Sequence, residues 1–211
     1  MLTPLAVRRI HRGSALVLGA FLVFHMANHL VALAGIDAHR AMMQAGRAIY
    51  SFPPVEALLL VAVVAQVVTG LAQLRASRGR RRGFWPRLQA ASGAVLAFFL
   101  VAHTLALVVG LRGVFGLDTD FFAAASVLVI WPLPLIYAPY YALGVAALFA
   151  HLACVLRLRV RGRDDMARLA PHAIAGLGAA AGVVIVATFS GAFYAIDLPP
   201  EYRAPFAVLI D

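Results

Sequence analysis

The sequence has no lysine, one cysteine and few charges of any kind. Only 13% of its 211 residues are charged, against about a quarter in a soluble domain, and that shortfall excludes an ordinary water-soluble fold. A lone Cys154 excludes both a disulfide framework and a thiolate cluster, and it reads as a small apolar residue in a helix. Acidic residues number nine, and only Glu56 falls inside a long apolar run. The acid–base relay that a small-molecule transporter needs is therefore not visible, which makes that class the weakest reading.

What the chain has in abundance is apolar length. Hydrophobic residues make up 63% of it, and the mean hydropathy is +0.89. A helix needs about 20 apolar residues to cross roughly 30 Å of hydrocarbon. Five runs meet that need, at 14–35, 54–75, 89–111, 137–157 and 172–196. The pattern predicts an all-α polytopic membrane bundle of five transmembrane helices, with 1–211 as a single unit. Pro53 and Pro54 suit the opening of the second span, where a missing N–H costs nothing. The connection at 34–52 is expected outside the membrane and partly helical. Segment 118–136 is apolar only from Phe121 to Ile130, too short to cross. Pro132, Pro134 and Pro139 interrupt the chain beyond that run, so an interfacial or re-entrant stretch is expected there, feeding the fourth span. No separate soluble domain is evident, so chemistry on soluble substrates falls to another chain. The first run lacks a small-residue cleavage site and passes into Gly35-Ile36-Asp37, which reads as an uncleaved span.

The net charge of +9 is carried by 18 arginines, and their placement argues against nucleic acid. Arg8, Arg9 and Arg12 precede the first span. Arg75, Arg78, Arg80, Arg81, Arg82 and Arg87 lie between the second and third, and Arg157, Arg159, Arg161, Arg163 and Arg168 between the fourth and fifth. Only Arg40, Arg47, Arg112 and Arg203 lie on the other side. The positive-inside rule then puts the N-terminus in the cytoplasm and the C-terminus outside, with a bacterial inner membrane as the expected location. Such arginine runs meet anionic lipid or a soluble partner.

An internal repeat carries the functional signal. Ser14-Ala-Leu-Val-Leu-Gly-Ala-Phe-Leu-Val-Phe-His25 aligns without a gap on Ser92-Gly-Ala-Val-Leu-Ala-Phe-Phe-Leu-Val-Ala-His103, identical at seven of twelve positions. Both segments run in the same direction, so His25 and His103 reach the same depth, about 11 residues or roughly 16 Å beyond the serines. A weaker echo aligns 56–66 with 141–151 and pairs Gln66 with His151. Together the two alignments imply a duplicated helical hairpin.

An imidazole inside hydrocarbon is costly and marks a functional candidate. Two level imidazoles on facing helices are the arrangement that holds a heme iron from both sides, so His25 and His103 are the expected metal ligands. A local interhelical hydrogen bond is the competing role for each. His29, one turn beyond His25, is either the ligand in its place or a polar neighbour for a propionate or a quinone. His151 sits nearer the arginine-rich end, opposite a Gln66 that ligates heme poorly but hydrogen-bonds well. That pair reads as a quinone pocket, a polar contact or a degenerate heme site. His11 and His172 at the inner interface and His39 in the outer connection are expected to be solvated.

The chain is similar over essentially its whole length to the five-helix cytochrome b membrane-anchor subunit of succinate dehydrogenase and fumarate reductase. The resemblance rests on His11-Arg12-Gly-Ser14, Phe24-His25-Met-Ala-Asn28, Gln66-Val-Val-Thr-Gly70, Gln89 through Ser92-Gly93 to His103, and Tyr140-Tyr141-Ala-Leu-Gly144 through His151. It implies an outer heme b held by His25 and His103, one heme per chain. It also implies quinone contact near Arg12, Ser14 and Gln66, with His29 and His151 beside the cofactors. Flavoprotein and iron–sulfur subunits would dock on the cytoplasmic face, in a complex that can be a homo-oligomer. The family's inner heme uses the positions held here by Gln66 and His151, so Gln66 departs from the pattern. The alternative is a non-catalytic membrane subunit that keeps the fold without electron transfer.

Overall fold

A computed structural model describes residues 3–160 and 165–210; Arg161 and Arg163 lie outside them. The described residues form helices and no strand. Helix α1 spans Pro4–Val31, α2 Ile36–Tyr50, α3 Pro53–Ala76, α4 Phe84–Leu105, α5 Phe121–Val129, α6 Pro134–Arg159 and α7 Asp165–Phe189, with short α8 at Pro200–Arg203 and α9 at Ala207–Ile210. Five helical stretches are long and apolar enough to cross a membrane: Pro4–Ala34, Pro53–Ala76, Phe84–Val114, Pro134–Arg159 and Arg168–Phe189.

Local chemistry sets the helix ends. The Thr3 hydroxyl accepts the Ala6 N–H at 3.2 Å and Pro4 occupies the first position, so α1 starts ten residues ahead of the expected 14. The intervening arginines are good helix formers and do not interrupt it. Helix α6 starts at Pro134, three residues ahead of the expected 137, and takes in Pro139. One proline costs one backbone bond, and neighbouring helices in an apolar bundle tolerate that. Helix α7 ends at Phe189 rather than 196. There Gly191 adopts φ +82°, its N–H bonding to Thr188 O and that of Ala192 to Ala187 O, in the manner of a glycine-terminated helix. Beyond His103, α4 continues as a π-helix from Ala106 to Val114, a wide-turn geometry often found beside functional groups.

The helices form a ring in the order α1, α3, α4, α6, α7, with the most extensive packing between α6 and α7, then in the hairpins α1–α3 and α4–α6. Glycine makes the closest of these possible. A Cβ on Gly182 of α7 would stand 2.9 Å from the Ala142 carbonyl oxygen of α6, so the backbones meet there as small residues allow in apolar bundles.

Burial is concentrated at one end. Phe121 and Ala125 of α5 pack with Ala32, Leu128, Val145, Ile185 and Phe189, so segment 118–136 is a buried short helix followed by a turn with a cis Trp131–Pro132 bond. The same end carries α2 and three ion pairs. Arg47 meets Asp118 at 2.5 Å, Arg40 meets Asp120 at 3.5 Å, and Arg112 meets Glu56. The Arg47 hydrogen bond holds the Asp118 carboxyl below its ordinary range. Along the shaft, large apolar side chains face outward, among them Leu16 (77% exposed), Val23 (75%) and Phe98 (66%). Water-soluble monomers do not present apolar surface on that scale.

Candidate functional site

The two histidines singled out by the repeat meet. His25 of α1 and His103 of α4 have ring centres 6.2 Å apart with planes at 67°, although their helices are not packed neighbours in the ring. The repeat extends to their surroundings. Phe21 stacks on His25 at 5.2 Å and 23°, and Phe99, its repeat equivalent, stacks on His103 at 5.1 Å and 15°. Each aromatic lies one turn before its histidine, the spacing that puts two side chains on one helix face. The second hairpin adds Tyr141 edge-on to His103 at 6.2 Å and Tyr140 stacked on Phe99 at 4.7 Å.

Two imidazole nitrogens bonded to one metal from opposite sides, each at about 2 Å, put their ring centres about 6 Å apart. The 6.2 Å separation suits that. Among the described residues, no group of three or more His, Cys, Asp or Glu is arranged to hold a metal ion. His25 Nε2 lies 3.2 Å from His29 Nε2, and ligation by His25 would exchange that hydrogen bond for a metal bond.

His29 bridges two groups. Its ring stands 4.4 Å from that of His25 and also meets His39 at 5.7 Å and Phe189 at 5.2 Å, so it links the histidine pair to α2 and α7. The expectation that His39 is solvated is overturned. It is 2% exposed, edge-on to Phe121 and Phe189, with Nε2 3.0 Å from Asn28 Nδ2. Helix α2 folds back over the bundle and α5 closes beneath it, and neither contact is written in the local sequence around His39. Burial lowers its pKa to about 4, so the ring is neutral at neutral pH. Asn28 Nδ2 can only donate, which puts the His39 proton on Nδ1. That atom has no partner among the described residues, nor have His29 Nδ1 and Asn28 Oδ1. Unpartnered buried polar atoms are uncommon in folded proteins, and they gather here beside the histidine pair.

Toward the arginine-rich end, the second polar cluster also follows the repeat. Ser14 Oγ donates to Gln66 Oε1 at 2.6 Å, and the equivalent Ser92 Oγ lies 3.2 Å from His151 Nδ1. Since Ser92 donates to the Leu88 carbonyl at 2.7 Å, it accepts from His151 Nδ1–H, which leaves the His151 Nε2 lone pair available. His11, expected to be solvated, is instead part of this cluster. Gln66 Nε2 donates to His11 Nε2 at 3.3 Å. The His11 proton then sits on Nδ1 and goes to Thr69 Oγ at 3.1 Å, while Thr69 donates to Ala65 O at 2.5 Å. The His11 ring lies against Gly70 and the His151 ring against Gly93, where an added Cβ would stand 3.4 Å and 3.3 Å from the respective Cε1 atoms. Thus Ser14, Gln66 and His11 come together, His151 stands on the other hairpin, and Arg12 is exposed and not joined to them by a hydrogen bond. His172 is exposed as expected, with Nδ1 3.2 Å from the Arg168 carbonyl.

The signal for His11 was present in the sequence as Thr69-Gly70, a hydroxyl followed by a residue with no side chain, repeated as Ser92-Gly93. For His39 there was none. No protein-family model, curated protein or solved structure matches the chain.

Proposed function

We propose that the chain is the membrane-anchor cytochrome b subunit of a succinate:quinone oxidoreductase of the succinate dehydrogenase/fumarate reductase type. It spans a bacterial inner membrane five times, with the arginine-rich end in the cytoplasm. The observation that carries this reading is the His25–His103 pair, 6.2 Å apart on helices from the two halves of a repeat, each backed by a stacked phenylalanine. His25 and His103 would hold one heme b. Phe21 and Phe99 fix the tilt of the two imidazoles, and His29 stands beside them as a polar neighbour. When bound, the heme supplies one-electron redox chemistry.

Quinone would meet the chain near Ser14, Gln66 and Arg12, where the Gln66 amide N–H would donate to a quinone carbonyl and the His151 Nε2 lone pair would accept from the hydroxyl of the reduced quinol. Flavoprotein and iron–sulfur partners of the complex would dock on the arginine-rich end and exchange electrons with membrane quinone through this subunit.

A reduced-minus-oxidised spectrum of the purified protein tests the reading. The expected result is a b-type band at about one heme per chain, lost in His103→Ala. A well-folded preparation without heme overturns it and leaves a non-catalytic membrane subunit. Co-purification of a flavoprotein decides whether the complex handles succinate.

A further inference from the structure

At the arginine-rich end, two adjoining open clefts of about 520 Å³ and 300 Å³ lie along the N-terminal half of α4, the smaller of them reaching Leu74 at the C-terminus of α3. Arg87 and Ala91 line both, so the two form one trough. Beside Arg81 and Arg87 its lining is apolar, with Leu74 on α3 and Phe84, Leu88, Ala90, Ala91 and Ala94 on α4. Arg81 lines the trough but is engaged, donating to the Leu74 carbonyl and, at 3.2 Å, to Ser77 Oγ, which neutralises the exposed carbonyl end of α3. Arg87 is exposed and makes no hydrogen bond or ion pair with any described residue. The three ion pairs among the described residues all lie at the opposite end of the bundle.

We infer that this trough is a binding site for an anionic glycerophospholipid, with its phosphate on the Arg87 guanidinium and its glycerol and upper acyl carbons along Ala90, Ala91 and Ala94. Three observations converge on that occupant. The cation lacks a counter-ion, the trough beside it is apolar, and both lie at the end of two helices long enough to span a membrane. A guanidinium binds phosphate oxygens through a two-pronged fork, and basic pockets between spanning helices recruit phosphate headgroups. Quinone is uncharged and has nothing to offer Arg87 that matches its charge. The inference rests on the membrane part of the proposed function and not on heme.

Native mass spectrometry of the whole chain tests it, after reconstitution with equal mole fractions of phosphatidylglycerol and phosphatidylcholine and exchange into detergent. The wild type is expected to retain phosphatidylglycerol in preference. Arg87→Ala should reduce that retention about tenfold, as losing one charge-assisted contact predicts. Ala91→Phe should reduce it too, by filling the trough with the charge unchanged. Arg78→Ala, outside the trough, should leave it intact. Equal retention of the two lipids, retention of quinone instead, or an equal loss in Arg78→Ala and Arg87→Ala would each overturn the inference. The b-type band is read on the same samples. It should persist in Arg87→Ala, so that failure of the heme reading and failure of the lipid site show up separately.

Discussion

The two halves of the repeat share a plan and differ in support. In the hairpin α1–α3, Ser14 faces Gln66 and Phe21 backs His25; in α4–α6, Ser92 faces His151 and Phe99 backs His103. The second hairpin is braced by α7 along its length, while α1 touches α7 far less. The halves therefore differ in how they are packed and agree in where they place the deep imidazole, His25 in one and His103 in the other.

Removing one imidazole from each half should sharpen this most. If the pair acts as a unit, His25→Ala and His103→Ala each abolish the b-type band completely, and double substitution adds nothing, as measured by heme content after purification. Half the heme remaining in either single variant would break the equivalence of the halves.

The next effect is on folding. Gly182→Leu forces a side chain into the Ala142 backbone, while Gly19 of α1 has no atom within 4 Å of an added Cβ. The first should cost about 3 kcal/mol or more, as overpacking does, and lower the yield of folded protein. Gly19→Leu should be close to neutral. Thermal unfolding in detergent checks both, and equal losses would show that α7 does not brace one hairpin selectively.

A smaller difference is expected between hydroxyls. Thr69→Val removes the acceptor of the buried His11 Nδ1–H, and Ser92→Ala does the same for His151. Each should destabilise by about 1 kcal/mol, read as a modest fall in midpoint temperature. A stabilising Thr69→Val would indicate that His11 does not depend on that bond.

The smallest and most gradual effect is that of pH on the capped end. The folded pKa of His39, about 4, lies below its ordinary 6.5. The unfolded chain therefore takes up a proton that the folded one refuses, and the stability from a neutral His39 is present above pH 6.5 and declines as pH falls toward 4. Asp118, held down by Arg47, adds a loss at still lower pH. His39→Asn should flatten the upper part of that decline in an unfolding series across pH, and an unchanged slope would remove His39 as its source.

The five long helices were legible because runs of about 20 or more apolar residues admit few other structures. The meeting of His25 with His103 was legible because the serine, phenylalanine and histidine of one helix recur at the same spacing in the other. What escaped was tertiary. His39 lies in a helix of mixed polarity whose burial depends on α5, and His11 is held by Gln66 and Thr69 from a distant part of the chain. The end of α7 escaped as well, because the apolar run continues past Gly191, whose positive φ stops the helix.

The absence of lysine has a consequence of its own at the arginine-rich end. A guanidinium keeps its proton throughout the range in which proteins survive, whereas an ammonium can lose one when partly desolvated. The arginine share of the field at that surface is therefore fixed against pH, and dissolved salt is the variable that weakens it, over a screening distance of about 10 Å at 0.1 M. Attraction of any anionic partner to this end should fall steeply with ionic strength, with the arginine contribution held level in mildly alkaline buffer.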